Sequence, residues 1–177
     1  GNTVAAVLKD CDIPAHVESN TGYFSSYEIQ VILSMLRILD NPLQDIPMAA
    51  VLASPIVGMD DEELAQIRSA FKGVSFAQAA LSAMAGEDGY EDEKLKAFAL
   101  VFERLRGAVA DTPIHELLYM MLDETGFYRY ASAMPAGKRR RQNIDMLIEM
   151  AAAYEKTSYK GLFHFVRYID IQQKYCL

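Results

Sequence analysis

Residues 26–40 read SYEIQVILSMLRILD, and this stretch decides the class of fold. Ile29, Ile32, Leu33, Leu36 and Leu39 make a wide apolar band at helical spacing, and Val31, Met35 and Ile38 extend it. Only Gln30, Ser34 and Arg37 leave a polar stripe. A helix so apolar around its circumference is buried on most sides and needs other helices to cover it. Asn41-Pro42 stops it, because the residue before a proline is pushed out of the helical region.

Helical periods continue downstream. A helix is predicted over about 46–53, with Pro47 tolerated in its first turn. The next stretch, VLASPIVGMDDEEL at 51–64, runs through Ser-Pro and one glycine into acid. Asp60 and Glu63 have the spacing of a capping box, and Met59 with Leu64 that of a hydrophobic staple. A helix should run from about 61 to 71, and a short one over 75–84. The loop AGEDGYED then leads into a helix over about 91–109, with Leu95, Phe98, Phe102, Leu105 and Val109 as one seam. Asp92 and Glu93 sit early in it, and Arg104 and Arg106 late, as the helix dipole favours.

Thr112 is the expected cap of the following helix, with Pro113 at its first position, and Gly126 its end. A short piece at 127–132 leads to a long helix over about 138–156 that buries Ile144, Leu147, Ile148, Ala151 and Tyr154. The last helix, 159–175, offers Leu162, Phe163, Phe165, Val166 and Ile169. Upstream, NTVAAVLKD at 2–10 reads as a short helix and AHVES at 15–19 as a strand without a partner. The expected fold is mainly α: an irregular multi-helix domain with a small α/β stub of one short strand at its N-terminus.

The chain has 177 residues, 51% hydrophobic and 23% charged, which is globular composition. At this length a fold buries roughly 70% of its unfolded surface and needs no metal or disulfide. Cys11 and Cys176 lie at opposite ends and read as free thiols of a reducing cytosol, with a terminal bridge as the alternative. No apolar run is long enough for a membrane span. The orphan strand and the absence of an initiating methionine read as a piece of a larger protein. A net charge of −7 opposes general polyanion binding, so any nucleic-acid contact would be local.

No GxxxxGK[ST], GxGxxG or GxSxG motif is present. His16, His115 and His164 lack partners at metal-ligand spacing, and Cys11 has no activating base beside it. Two local features remain. GKRRRQN at 137–143 sets Lys138, Arg139, Arg140 and Arg141 at a helix start, where the dipole disfavours cations. A phosphate backbone would offset that, and so would acids of the same chain. In SPIVG, Ser54 and Gly58 precede a helix start whose amides could bind phosphate, or the segment simply turns a corner.

The order of segments carries a resemblance. Gly22-Tyr23-Phe24, Glu28-Ile29, Asp40-Asn41-Pro42, Asp45-Ile46-Pro47 and Ser54-Pro55-Ile56-Val57-Gly58 follow one another as in superfamily 1A helicases of the UvrD/Rep type. Within them the chain is most similar to the AddA (RexA) family of bacterial helicase–nuclease subunits. Arg141, Asn143, Leu147 and GLFHFVRYI resemble the end of the same helical insertion. The resemblance implies that residues 1–41 are a fragment of the second RecA-like motor domain (2A) and residues 42–177 the accessory subdomain (2B). It implies a bacterial, cytoplasmic parent that uses ATP and Mg²⁺, acts on duplex DNA and pairs with an AddB-like nuclease partner. It also implies that this stretch holds no cofactor and performs no catalysis. The phosphate contacts would fall to Lys138, Arg139, Arg140 and Arg141, then Ser54 and Gly58. Two departures stand out. Ser25-Ser26 occupy a stretch where UvrD-type proteins carry arginines, and Gly58-Met59-Asp60 replaces their Gly-Ile-Gly turn. The alternative is an acidic helical protein-interaction module without nucleic-acid binding.

Overall fold

The computed structural model describes residues 20–157 and 161–175. The helix expected over 2–10, the strand over 15–19, Cys11, His16 and Cys176 lie outside the described residues. What is described is helical, as the periodicities required. In chain order the α-helices are α1 (Asn20–Phe24), α2 (Tyr27–Asp40), α3 (Asp45–Ala53), α4 (Asp61–Ala70) and α5 (Phe76–Met84). They continue with α6 (Glu93–Ala108), α7 (Ile114–Thr125), α8 (Phe127–Ala133), α9 (Gly137–Thr157) and α10 (Gly161–Tyr175). A 3₁₀ turn, Glu87–Gly89, occupies the loop before α6.

Helix α2 is the pillar the sequence foretold. It packs against α1, α3, α6, α9 and α10. Ile29, Val31, Ile32, Leu33, Met35, Leu36, Ile38 and Leu39 are all buried. On one side α3, α4, α5 and α6 pack in succession; on the other, α7, α8 and α9 do. Both groups contribute to one continuous apolar cluster, from Met48 and Ile67 through Phe98 and Leu118 to Leu147 and Phe165. The polar stripe of α2 is bound to neighbours. Arg37 pairs with Asp170 of α10 at 2.9 Å and also donates to Gln173.

The capping box at the start of α4 forms as read. The Asp60 carboxylate accepts from the Glu63 amide at 2.8 Å while Glu63 accepts from the Asp60 amide at 3.2 Å. Ser75 accepts from Gln78 at the start of α5, and Asp92 from Leu95 at the start of α6.

Other helix ends are satisfied from afar. The Asp45 carboxylate of α3 accepts from the Ala77 amide in the first turn of α5. Arg106 donates to the Leu39 carbonyl at the end of α2, where a cation also suits the dipole. Thr112 does not cap α7. Pro113 takes the cap position, with no side-chain bond. The His115 amide instead donates to Glu155 of α9 at 2.9 Å, and the His115 ring meets the same oxygen. Phe163 also departs from its expected burial. It faces outward beneath the Arg167 guanidinium, 5.6 Å from the ring centre.

Candidate nucleic-acid interface

The corner at 51–60 is built around Ser54. Its hydroxyl donates to the Val51 carbonyl at 2.6 Å and accepts from the Ile56 amide at 3.2 Å. Its carbonyl accepts from the Val57 and Gly58 amides. With the side chain 2% exposed and its hydrogen bonds made internally, Ser54 turns no polar atom toward a ligand. Gly58 holds a φ of +80°, a conformation an L side chain adopts only with strain. Its carbonyl accepts from Lys94 of α6 at 2.9 Å. Lys94 also pairs with Glu63 at 2.8 Å, and that hydrogen bond is the main reason its ammonium sits above the ordinary lysine pKa. Amides that could have cradled a phosphate at Gly58, Asp60 and Glu63 are therefore committed inside the chain.

The start of α9 is arranged differently. The chain arrives through Ala136, with φ +59°, and at Gly137 turns close to the end of the preceding helix. A β-carbon there would lie 1.9 Å from the Ser132 carbonyl oxygen, so the corner admits only glycine without a backbone shift. The four cations then diverge. Arg140 turns inward, donating to the Pro135 carbonyl at 2.8 Å and to Glu28 Oε2 at 2.8 Å. Asn143, one turn on, donates to Glu28 Oε1 at 2.9 Å, and its carbonyl accepts from the Tyr23 hydroxyl at 3.0 Å.

Glu28 is 1% exposed, and both its oxygens are bound. Burial, and then the Glu28 charge, push the Tyr23 phenol far above its ordinary pKa. Lys138, Arg139 and Arg141 remain at the surface. The charge of Arg141 acts on the Tyr128 hydroxyl of α8, which donates to Asp145.

Of the six residues singled out for phosphate, Lys138, Arg139 and Arg141 share one exposed helix start. Arg140 belongs to a buried carboxylate. Ser54 and Gly58 form a self-contained corner elsewhere in the chain. The sequence reading used Glu28 only as a mark of the resemblance and missed its buried pairing with Arg140 and Asn143. Among the described residues no group of His, Cys, Asp and Glu could hold a metal ion. No helix among them is long and apolar enough to cross a membrane.

The described residues and this helix start define an acidic, helical module that exposes Lys138, Arg139 and Arg141 at one helix start. No protein-family model matches the chain. Curated proteins do. It is 43% identical over 161 residues to the AddA subunit of the ATP-dependent helicase/nuclease from Anoxybacillus flavithermus, covering 90% of this chain and 13% of that protein. It is 41% identical over 167 residues to the same subunit from Bacillus cytotoxicus, covering 92% and 13%. Against the Enterococcus faecalis subunit it is 40% identical over 177 residues, covering 97% and 14%. The chain is thus homologous to one segment of the AddA family of ATP-dependent helicase/nuclease subunits, as its order of motifs implied. It spans about one-seventh of these relatives' length.

Proposed function

We propose that this chain serves as the accessory subdomain, 2B, of an ATP-dependent 3′-to-5′ DNA helicase–nuclease of double-strand break repair in the bacterial cytoplasm. Residues 42–177 form that subdomain, and residues 1–41 belong to the motor domain 2A on which it is mounted. Its work is positioning. It presents duplex DNA ahead of the motor, or packs against an AddB-like partner. ATP and Mg²⁺ chemistry and strand cleavage belong to the rest of the parent, and this stretch contributes no catalytic group.

The observation that carries this reading is the exposed start of α9. Lys138, Arg139 and Arg141 stand at the surface of a protein of net charge −7, in a family named for helicase and nuclease activity. Exposed cations at a helix N-terminus oppose the dipole, and a phosphate backbone relieves that. Titration of a labelled duplex at low salt tests it. Replacing Lys138, Arg139 and Arg141 together by Gln, with Arg140 retained for the fold, should weaken binding. Each lost phosphate contact should reduce the slope of log K against log salt by about 0.9. Binding unaffected by the triple change would overturn the assignment.

A second reading, a protein-interaction module without a nucleic-acid role, is favoured by the Arg140–Glu28 pair and by the committed amides at Gly58. On that reading the triple variant loses a protein partner while duplex binding is absent from the start.

A further inference from the structure

The cations of α9 have aromatic company. Residues 126–144 contain five of the 17 Lys and Arg of the chain and none of its 24 Asp and Glu, so elsewhere acids outnumber cations two to one. The same stretch carries Phe127, Tyr128 and Tyr130. Tyr130 is 48% exposed, and its ring lies nearly parallel to that of Phe127, at 16° and 6.4 Å between centres. The buried Phe127 thus backs an exposed, flat ring. Tyr27, at the first position of α2, is 43% exposed. Burial raises the pKa of its hydroxyl, with Tyr130 adding to the rise and Arg140 opposing it. Arg140 reaches Glu28, the residue after Tyr27, at 2.8 Å, and α9 packs against both α2 and α8, so Tyr27, Tyr130 and the start of α9 share one neighbourhood. Of the acids beside them, Glu28 is buried and held by Arg140 and Asn143, and Asp145 accepts from the Tyr128 hydroxyl.

Exposed rings beside exposed cations are the surface that unpaired nucleic acid requires. Phosphates take the cations and splayed bases lie on the rings, whichever base each is. A duplex keeps its base faces stacked inside and can use only the cations. An acidic peptide likewise needs the cations and not the rings. The acidic remainder of the surface repels a polyanion, which confines binding to this patch.

We propose that Tyr27 and Tyr130, with Lys138, Arg139 and Arg141, form a stacking platform for single-stranded nucleic acid. This rests on the α9 start being a phosphate contact, and it adds a preference for an unpaired strand that the duplex reading does not contain.

The chain has ten tyrosines and no tryptophan, so its emission reports tyrosine alone. Oligothymidylate of about twelve nucleotides, near one stacking site size, is titrated against the 177-residue chain at low salt, beside a duplex of equal length and polyglutamate. The expected result is quenching by oligothymidylate and little by duplex. Tyr130→Leu and Tyr27→Leu should each lower single-strand affinity roughly tenfold, with duplex affinity unchanged. Tyr130→Phe, which keeps the ring, should bind as the parent does.

Single-strand binding indifferent to both leucine variants overturns the platform and leaves the phosphate contact standing. Absence of binding to either DNA overturns both readings. Polyglutamate bound as tightly as oligothymidylate, without quenching, assigns the patch to an acidic peptide and overturns the platform. If a leucine variant loses its helical circular dichroism, the unsubstituted chain decides, because equal quenching by both DNAs overturns the proposal.

Discussion

Removing Arg140 would strand a carboxylate. Glu28 is enclosed in the apolar band of α2, and its charge is tolerated because Arg140 and Asn143 bind both oxygens. Breaking such a pair from one side costs about 3–5 kcal/mol, whereas replacing both partners with apolar residues often costs little. Arg140→Ala should therefore lower the urea midpoint sharply, and Glu28→Leu combined with Arg140→Met should recover most of the loss.

The neighbouring Tyr23 gives the molecule an alkaline limit. Its folded pKa is raised above the ordinary 10.0, chiefly by burial and then by Glu28, so the fold favours the protonated phenol. That stability is complete below pH 10 and is lost progressively above it. In Tyr23→Phe the alkaline decline should flatten, at about 1 kcal/mol cost at neutral pH for the lost hydrogen bond. Urea melts at pH 7 and at pH 10.5 measure both effects.

At the α8–α9 corner, Gly137→Ala should cost about 1–3 kcal/mol as overpacking. Ala136→Gly should gain about 0.5–1 kcal/mol by releasing a left-handed alanine. Thermal melts of the two variants should move in opposite directions. The glycine was visible in the sequence; its need was not, because it depends on the approach of Ser132.

At the scale of the element, what could be read in advance was whatever lies within a few residues. The capping box of α4 is an i to i+3 relation and formed as read; the serine cap of α5 and the aspartate cap of α6 have the same spacing and were found only in the structure. So did the apolar seam of α6, from Leu95 to Leu105. Thr112 failed for a reason no local pattern carries: α7 is capped by Glu155, forty positions further along. Phe163 failed because an apolar residue at helical spacing does not say which side of a helix its neighbours will cover.

Two measurements follow. Asp60→Ala should destabilise by about 1 kcal/mol, read from a thermal melt. Glu155→Ala removes bonds to both the amide and the ring of His115. It should cost about 1–3 kcal/mol and speed hydrogen exchange at residues 115–117, without touching α4.

For the whole molecule, a single shared core implies one unfolding event. Leu36 lies in the middle of α2 and is fully buried, so Leu36→Ala should cost about 2–5 kcal/mol. Probes placed in α4 and in α9 should then report the same denaturation midpoint, because both helices belong to the cluster that α2 supports. The sequence announced that pillar through its unbroken apolar run. It could not announce which helices would surround it, nor that Arg140 would leave the other three cations to join it. That rearrangement divides the basic run: one member builds the base of the module, and its neighbours stay at the surface.

The junction of Glu28 with Arg140 also has a meaning for how such a chain can vary. These residues are 112 positions apart, yet their charged ends meet at 2.8 Å. The outward and homeward paths of a long excursion are moored to the same post. Whatever happens at the bend where α5 gives way to α6, the landing points on α2 and α9 stay where they are. Such a detour can lengthen, shorten or exchange its outer turns between species without disturbing the ground from which it departs.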